Sequence, residues 1–179
     1  MFNNFLRTNK VAMWLLTVIR VYLGYQWIEA GYHKLTGGFD AAGFLNGAIA
    51  NSAGDHPAVQ GWWAAFLQHF ALPNVDLFNV LVPYGEFLVG IGLILGTFTT
   101  FAALMGFVMN AAFLFSGTVS TNAQMLILEV LVLVAAANAG KIGLDYYVLP
   151  YLRKLFHKKD DAGTQNPAPK QPLNVKRTA

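Results

Sequence analysis

The stretch Val11–Tyr32, VAMWLLTVIRVYLGYQWIEAGY, decides the fold. A helix rises about 1.5 Å per residue and a bilayer core is about 30 Å thick, so this run is long enough to span it, and it is apolar over most of its length. It is preceded by a polar opening that carries Arg7 and Lys10, an arrangement that superficially resembles a secretory signal. No small-residue cleavage pattern follows, so the run reads as an uncleaved first membrane helix.

The remainder of the chain agrees. Of 179 residues, 55% are hydrophobic and only 12% charged, too few charges to cover a soluble globule of this size. The length suits one compact domain with tails. There is no cysteine, which excludes thiol–disulfide exchange, cysteine-ligated clusters and disulfide staples; any redox chemistry must come from a bound cofactor or a partner. No repeat or nucleotide-binding glycine loop is evident, and the basic charge lies beside the expected spans, which does not suggest nucleic acid.

Three further apolar segments, Pro83–Thr97, Phe98–Phe115 and Ala123–Gly140, complete the expected fold: an all-α, polytopic membrane protein built as a four-transmembrane-helix bundle. The second span is short, and Leu77–Val82 can extend it across Pro83 with a kink. A tight turn around Gly96, Thr97, Thr99 and Thr100 makes the second and third helices antiparallel neighbours. Arg7 and Lys10 precede the first span, while Lys141, Arg153, Lys154, Lys158 and Lys159 follow the last. Cations near span ends are retained inside, so both termini are expected in the cytoplasm of a bacterial inner membrane. The predicted boundaries are a cytoplasmic segment 1–10, a membrane domain 11–146 with an outer insertion at about 35–77, and a basic interfacial segment and disordered tail over 147–179. Within the insertion, Phe39–Ala50 and Ala58–Phe70 are apolar but too short to cross, and with Trp62 and Trp63 they read as short interfacial helices over the outer mouth. Asp145–Phe156 reads as an interfacial segment interrupted at Pro150.

Charged groups at membrane depth cost a few kcal/mol or more, so Arg20, Glu86 and Glu129 are expected to face the bundle and find partners, with Asn110 and Gln26 near them. Counting about 1.5 Å per residue across a core of about 30 Å puts Arg20 at ~14 Å, Asn110 at ~18 Å, Glu129 at ~20 Å, Glu86 at ~25 Å and Glu29 at ~27 Å from the inner face, so the polar groups concentrate between the midplane and the outer surface. Arg20, Gly24, Trp27, Gly31 and Lys34 share one helical stripe; Tyr22, Gln26, Glu29 and His33 share the opposite one. The expected partner of Arg20 is Glu129 or Glu86. Gly90, Gly92 and Gly96 suit close helix packing. Glu29 and His33 stand at i, i+4 but offer only two metal ligands and read as a surface pair, so no metal is expected; the positions of the histidines likewise disfavour an integral haem.

Three strings in order carry a family resemblance: GYQWIEAGYHKL over residues 24–35, Gly85–Gly90 followed by Gly92 and Gly96, and AGKIGLD over residues 139–145. The chain resembles the DoxX family of bacterial membrane proteins, related to the DoxD subunit of thiosulfate:quinone oxidoreductases, over nearly all of Val11–Tyr146. The family pattern often has Arg where this chain has Lys141, a change in hydrogen-bond geometry though not in charge. The resemblance implies a four-helix membrane fold and, in some members, a part in quinone-linked oxidation of sulfur compounds or in oxidative and thiol-stress defence. On that footing Arg20, Glu86 and Glu129 are the candidate catalytic residues, carboxylates relaying the proton and the guanidinium stabilising a developing oxyanion. Gln26, Trp27 and Asn110 are the candidate quinone-binding residues. Partners would be the bilayer, a soluble redox enzyme supplying electrons and a second copy of the chain. A non-catalytic scaffold for a soluble enzyme, or a small proton-coupled transporter, are the alternatives.

Overall fold

The computed structural model describes residues 1–152 and 154, and every regular element among them is helical. Contacts divide the chain into a unit of Met1–Tyr146 and a second that begins at Tyr147. In the second, residues 147–152 are helical with Pro150 inside the run, so the expected interruption there does not occur. A proline removes one N–H donor and bends a helix without having to end it. The expected tail beyond lies outside the described residues.

The first unit opens with a helix where the sequence reads only a polar segment. Helix α1, Phe2–Thr8, buries Leu6, and Arg7 Nε donates to the Val134 carbonyl at 3.0 Å. Asn9 breaks the chain direction in an extended conformation and starts α2, Lys10–Gly37, by accepting from the Val11 and Ala12 amides at 2.7 and 3.3 Å. Helix α3, Ala41–Ala50, and α4, Gly61–Phe66, form in the connection where short helices are expected. A π-type turn, Leu67–Ala71, and a tight 3-10 turn, Leu72–Asn74, then carry α4 into α5, Val75–Leu95, with Pro83 inside it. The Pro83 extension of the second span thus forms. The Asn79 carboxamide oxygen accepts from the Ala41 amide at 2.7 Å, which pins the start of α3 on α5.

Left-handed Gly96 (φ 64°) and Phe98 (φ 48°) make the tight turn into α6, Thr99–Phe115. The expected fourth span does not run unbroken. Helix α7, Asn122–Ala135, ends at Ala136 (φ 50°, ψ −126°), and a separate turn, α8, covers Ala137–Gly140. The break has a local cause: the Asn138 carboxamide, buried, donates to the Leu6 and Asn9 carbonyls at 2.7 and 3.2 Å and draws this turn onto the α1–α2 junction.

Charged and amide groups join an apolar core, and large apolar side chains cover the outer surface. Arg20, Glu86, Glu129, Asn110, Asn138 and Asp145 are buried, whereas Trp14, Val18, Leu88, Phe101 and Ile127 are each more than 60% exposed. Apolar exposure on every long helix fits an apolar solvent. Two helical runs, Lys10–Gly37 and Gly61–Leu95, are long and apolar enough to cross a membrane; Thr99–Phe115 and Asn122–Ala135 are shorter and apolar.

Helix α2 packs most extensively on α5. A methyl added at Gly24 would lie 2.8 Å from the Gly90 carbonyl oxygen, and one at Gly31 would lie 2.6 Å from the Phe87 amide nitrogen. The obstacles are backbone atoms, which cannot swing aside. Gly31→Ala is therefore expected to cost about 1–3 kcal/mol, a Tm loss of several degrees in detergent. Gly47→Ala, where a methyl meets nothing within 4 Å, will hold or raise Tm; equal losses at the two sites would refute this account of the α2–α5 contact.

Candidate functional site

Arg20, Trp27 and Lys34 lie seven residues apart on one face of α2, so each stands about 10 Å further along the helix. Each organises a polar layer inside the bundle, and Gly24 and Gly31 between them let α5 approach.

In the first layer Arg20, 2% exposed, donates from Nη2 to the Ile142 carbonyl at 2.7 Å. Methyl groups at Gly96 or Gly143 would collide with its guanidinium, so both glycines are required by its position. Asp145, the acidic residue whose charge acts on Arg20, accepts from the Phe98 and Thr99 amides at 2.6 and 2.9 Å and so caps α6. The Asp145 amide in turn donates to the Gly96 carbonyl at 2.7 Å. The layer thus ties the segment after α8 to the α5–α6 turn.

The second layer centres on Glu129 of α7, fully buried. The Trp27 indole N–H donates to Oε1 at 2.8 Å, and the Asn110 carboxamide donates to Oε1 and Oε2 at 3.0 and 2.9 Å. Gly106 on α6 makes room, because a methyl there would sit 2.6 Å from Glu129 Oε1 and 3.0 Å from Trp27 Nε1. Among the described residues, every donor to this carboxylate is a neutral dipole.

The third layer is ionic. Lys34 Nζ lies 2.8 and 2.7 Å from the two Glu86 carboxylate oxygens, with Glu86 1% exposed and the lysine side chain 26%. The ammonium also stands 5.8 and 5.9 Å from the centres of the Phe39 and Phe113 rings, within cation–π range.

A cavity of about 460 Å³ opens beside this layer, walled by Gln26, Trp27, Lys34 and Glu86, with Thr118, Thr121 and Asn122 supplying hydroxyl and amide groups. Trp27 joins two layers: its ring lines the cavity while its N–H holds Glu129. A larger apolar groove of about 680 Å³ runs between α5 and α6, from Thr97 and Phe98 to Trp63 and Ser116.

The structure therefore separates the residues that sequence grouped. Arg20 pairs with neither Glu129 nor Glu86: it lies about 21 Å along α2 from Lys34, at the end of the bundle where the α5–α6 turn sits. The α5–α6 turn and the segment after α8 meet the guanidinium there, through Gly96, Gly143 and the Ile142 carbonyl. Glu129, Trp27 and Asn110 do come together, and Glu86 shares its cavity with Trp27 and Gln26. Glu29 and His33, both exposed, stand at the cavity wall, and no group of three His, Asp or Glu side chains is placed to hold a metal among the described residues. Sequence reasoning missed Lys34 as the partner of Glu86 and missed Gly106. The signal for Lys34 was present, since it extends the stripe of Arg20 and Trp27 by one further heptad.

Ionic and amide groups held inside helices whose outer faces are apolar mark a membrane protein. The chain belongs to the DoxX family, whose model matches residues 15–119, more than half of the chain, from α2 past the end of α6. Glu129 and Asp145 lie beyond the matched stretch. No curated protein and no solved structure gives a significant match.

Removing the ammonium leaves Glu86 buried without its counter-ion, so Lys34→Met is expected to destabilise the fold by about 2–4 kcal/mol. Adding Glu86→Met should recover most of that loss in a double-mutant cycle read by thermal unfolding in detergent. Additive losses would show that the pair does not interact as described.

Proposed function

We propose that the chain is a multi-pass protein of the bacterial inner membrane with four spans, formed by α2, the α4–α5 run, α6, and α7 with α8. Both termini face the cytoplasm, and the cavity beside Lys34 and Glu86 opens toward the outer face under α3 and α4. Cations before α2 and after α8 support this orientation. Because the chain has no native cysteine, single cysteines report topology cleanly. Asn3→Cys is expected to stay unlabelled by a membrane-impermeant maleimide in intact spheroplasts, and Ser52→Cys to label. Labelling at position 3 alone would reverse the topology, and labelling at both positions would break it.

Within that frame the chain serves as the membrane subunit of a quinone-linked redox or thiol-stress system, electrons coming from a soluble partner or a small reduced sulfur compound. The observation that carries this reading is a hydrogen-bonding cavity bounded by a buried ion pair and adjoining an apolar groove, which fits a polar ring on an apolar chain. Bound quinone supplies a two-electron, two-proton acceptor. Lys34 uses two hydrogen bonds on Glu86 and has a third N–H to offer a carbonyl oxygen. Gln26, Thr118 and Asn122 add neutral donors and acceptors. Glu86 reaches the cavity and exchanges a proton there, while Glu129, one residue removed behind Trp27 and Asn110, fixes the indole that forms the wall. Arg20 holds the opposite end of the bundle together.

The test is quinone reduction by the detergent-purified protein, with and without proteins that co-purify. Glu86→Gln is expected to lower the rate at least about tenfold while Tyr25→Phe, on the exposed side of α2, leaves it unchanged. Absence of both quinone binding and a redox partner would sink this reading, and proton-coupled uptake into liposomes would replace it with transport.

A further inference from the structure

The polar cavity and the apolar groove share a wall. Phe39 and Phe44, from the connection after α2, and Phe113, from α6, line both spaces. Phe44 meets Phe113 edge to face at 5.9 Å, and the Lys34 ammonium lies over both Phe39 and Phe113. The ion pair with Glu86 therefore sets where the ammonium sits, and the ammonium helps hold two of the three rings. Beyond them the groove is almost wholly apolar and widened by Gly85 and Gly92. Charge selects against an anionic occupant. The cavity walls carry Glu29 and Glu86 against the single ammonium of Lys34, so a further negative charge would be repelled.

We propose that Phe39, Phe44 and Phe113 form a gate latched by Lys34, joining the two spaces into one site for an amphiphile with a neutral, carbonyl-bearing head and a single apolar chain. The head takes the third N–H of Lys34 in the cavity; the chain passes the rings and lies in the α5–α6 groove. Entry is from the side, out of the bilayer. This inference rests on the quinone reading above and adds the route, the gate and the requirement for a chain.

A tail-less dimethoxy-methyl-benzoquinone and its decyl homologue separate the two ideas when their binding to the full chain in detergent is measured by tryptophan quenching. The wild type is expected to bind the decyl homologue at least about tenfold more tightly than the head alone. Gly85→Phe fills the groove at a place where an added methyl meets only the Met109 side chain at ordinary contact distance. It should abolish most of that advantage and leave the affinity for the head unchanged. Phe44→Ala, which thins the gate without filling the groove, should speed association of the decyl homologue and not of the head. Failure of the wild type to bind either compound overturns the quinone reading and this proposal with it. Equal effects of Gly85→Phe on both compounds, or no effect on either, overturn the gate and groove alone, leaving a site that takes only the head.

Discussion

A guanidinium, an ammonium and three carboxylates lie within a bundle whose outer surface is apolar, and none of them can be left to face hydrocarbon. Each must be met by a group inside the protein. Helix α2 solves most of this problem on a single face. Arg20, Trp27 and Lys34 recur at heptad spacing, and each reaches a different element: the segment after α8, α7 with α6, and α5. The glycines between them are part of the same solution. Gly24 and Gly31 bring the α5 backbone close enough for a short helix-to-helix reach, as small residues do where lipid removes the hydrophobic drive for association.

Much of the fold follows from that constraint. Gly96 and Gly143 are small because a guanidinium occupies the space a side chain would take, and Gly106 because a carboxylate does. The left-handed turn at Gly96 and Phe98 is closed by Asp145, whose carboxylate satisfies the first amides of α6. A polar residue at one end of the chain thus determines how a hairpin in its middle is capped. Asn138 acts similarly at the N-terminal side, trading the continuity of the last helix for two hydrogen bonds that anchor α1.

Helix existence was legible because long apolar runs have few other uses, and the Pro83 extension was legible because a kinked helix still satisfies its backbone. The short helix α1 was not, since its stability comes from burying Leu6 and bonding Val134, contacts 127 or more residues away in the chain for Arg7. The break at Ala136 was hidden for the same reason. At the site, the stripe containing Arg20, Trp27 and Lys34 was visible, but depth counting from span edges steered Arg20 toward the glutamates. Lys34 lies just beyond Tyr32, the expected end of the first span, although α2 continues to Gly37 and carries it over Glu86.

The two buried glutamates are answered in different ways. Glu86 meets a partly exposed ammonium at a cavity wall, which leaves Lys34 room for another acceptor. Glu129 meets an indole and a carboxamide, both held by packing on three helices, and Gly106 leaves no slack around it. Dipoles fixed in this way stabilise one geometry and resist rearrangement. A bundle with only the second kind would be rigid and inert; one with only the first would lack a fixed wall. Trp27, bonded to Glu129 and facing the cavity, is where the rigid layer supports the responsive one.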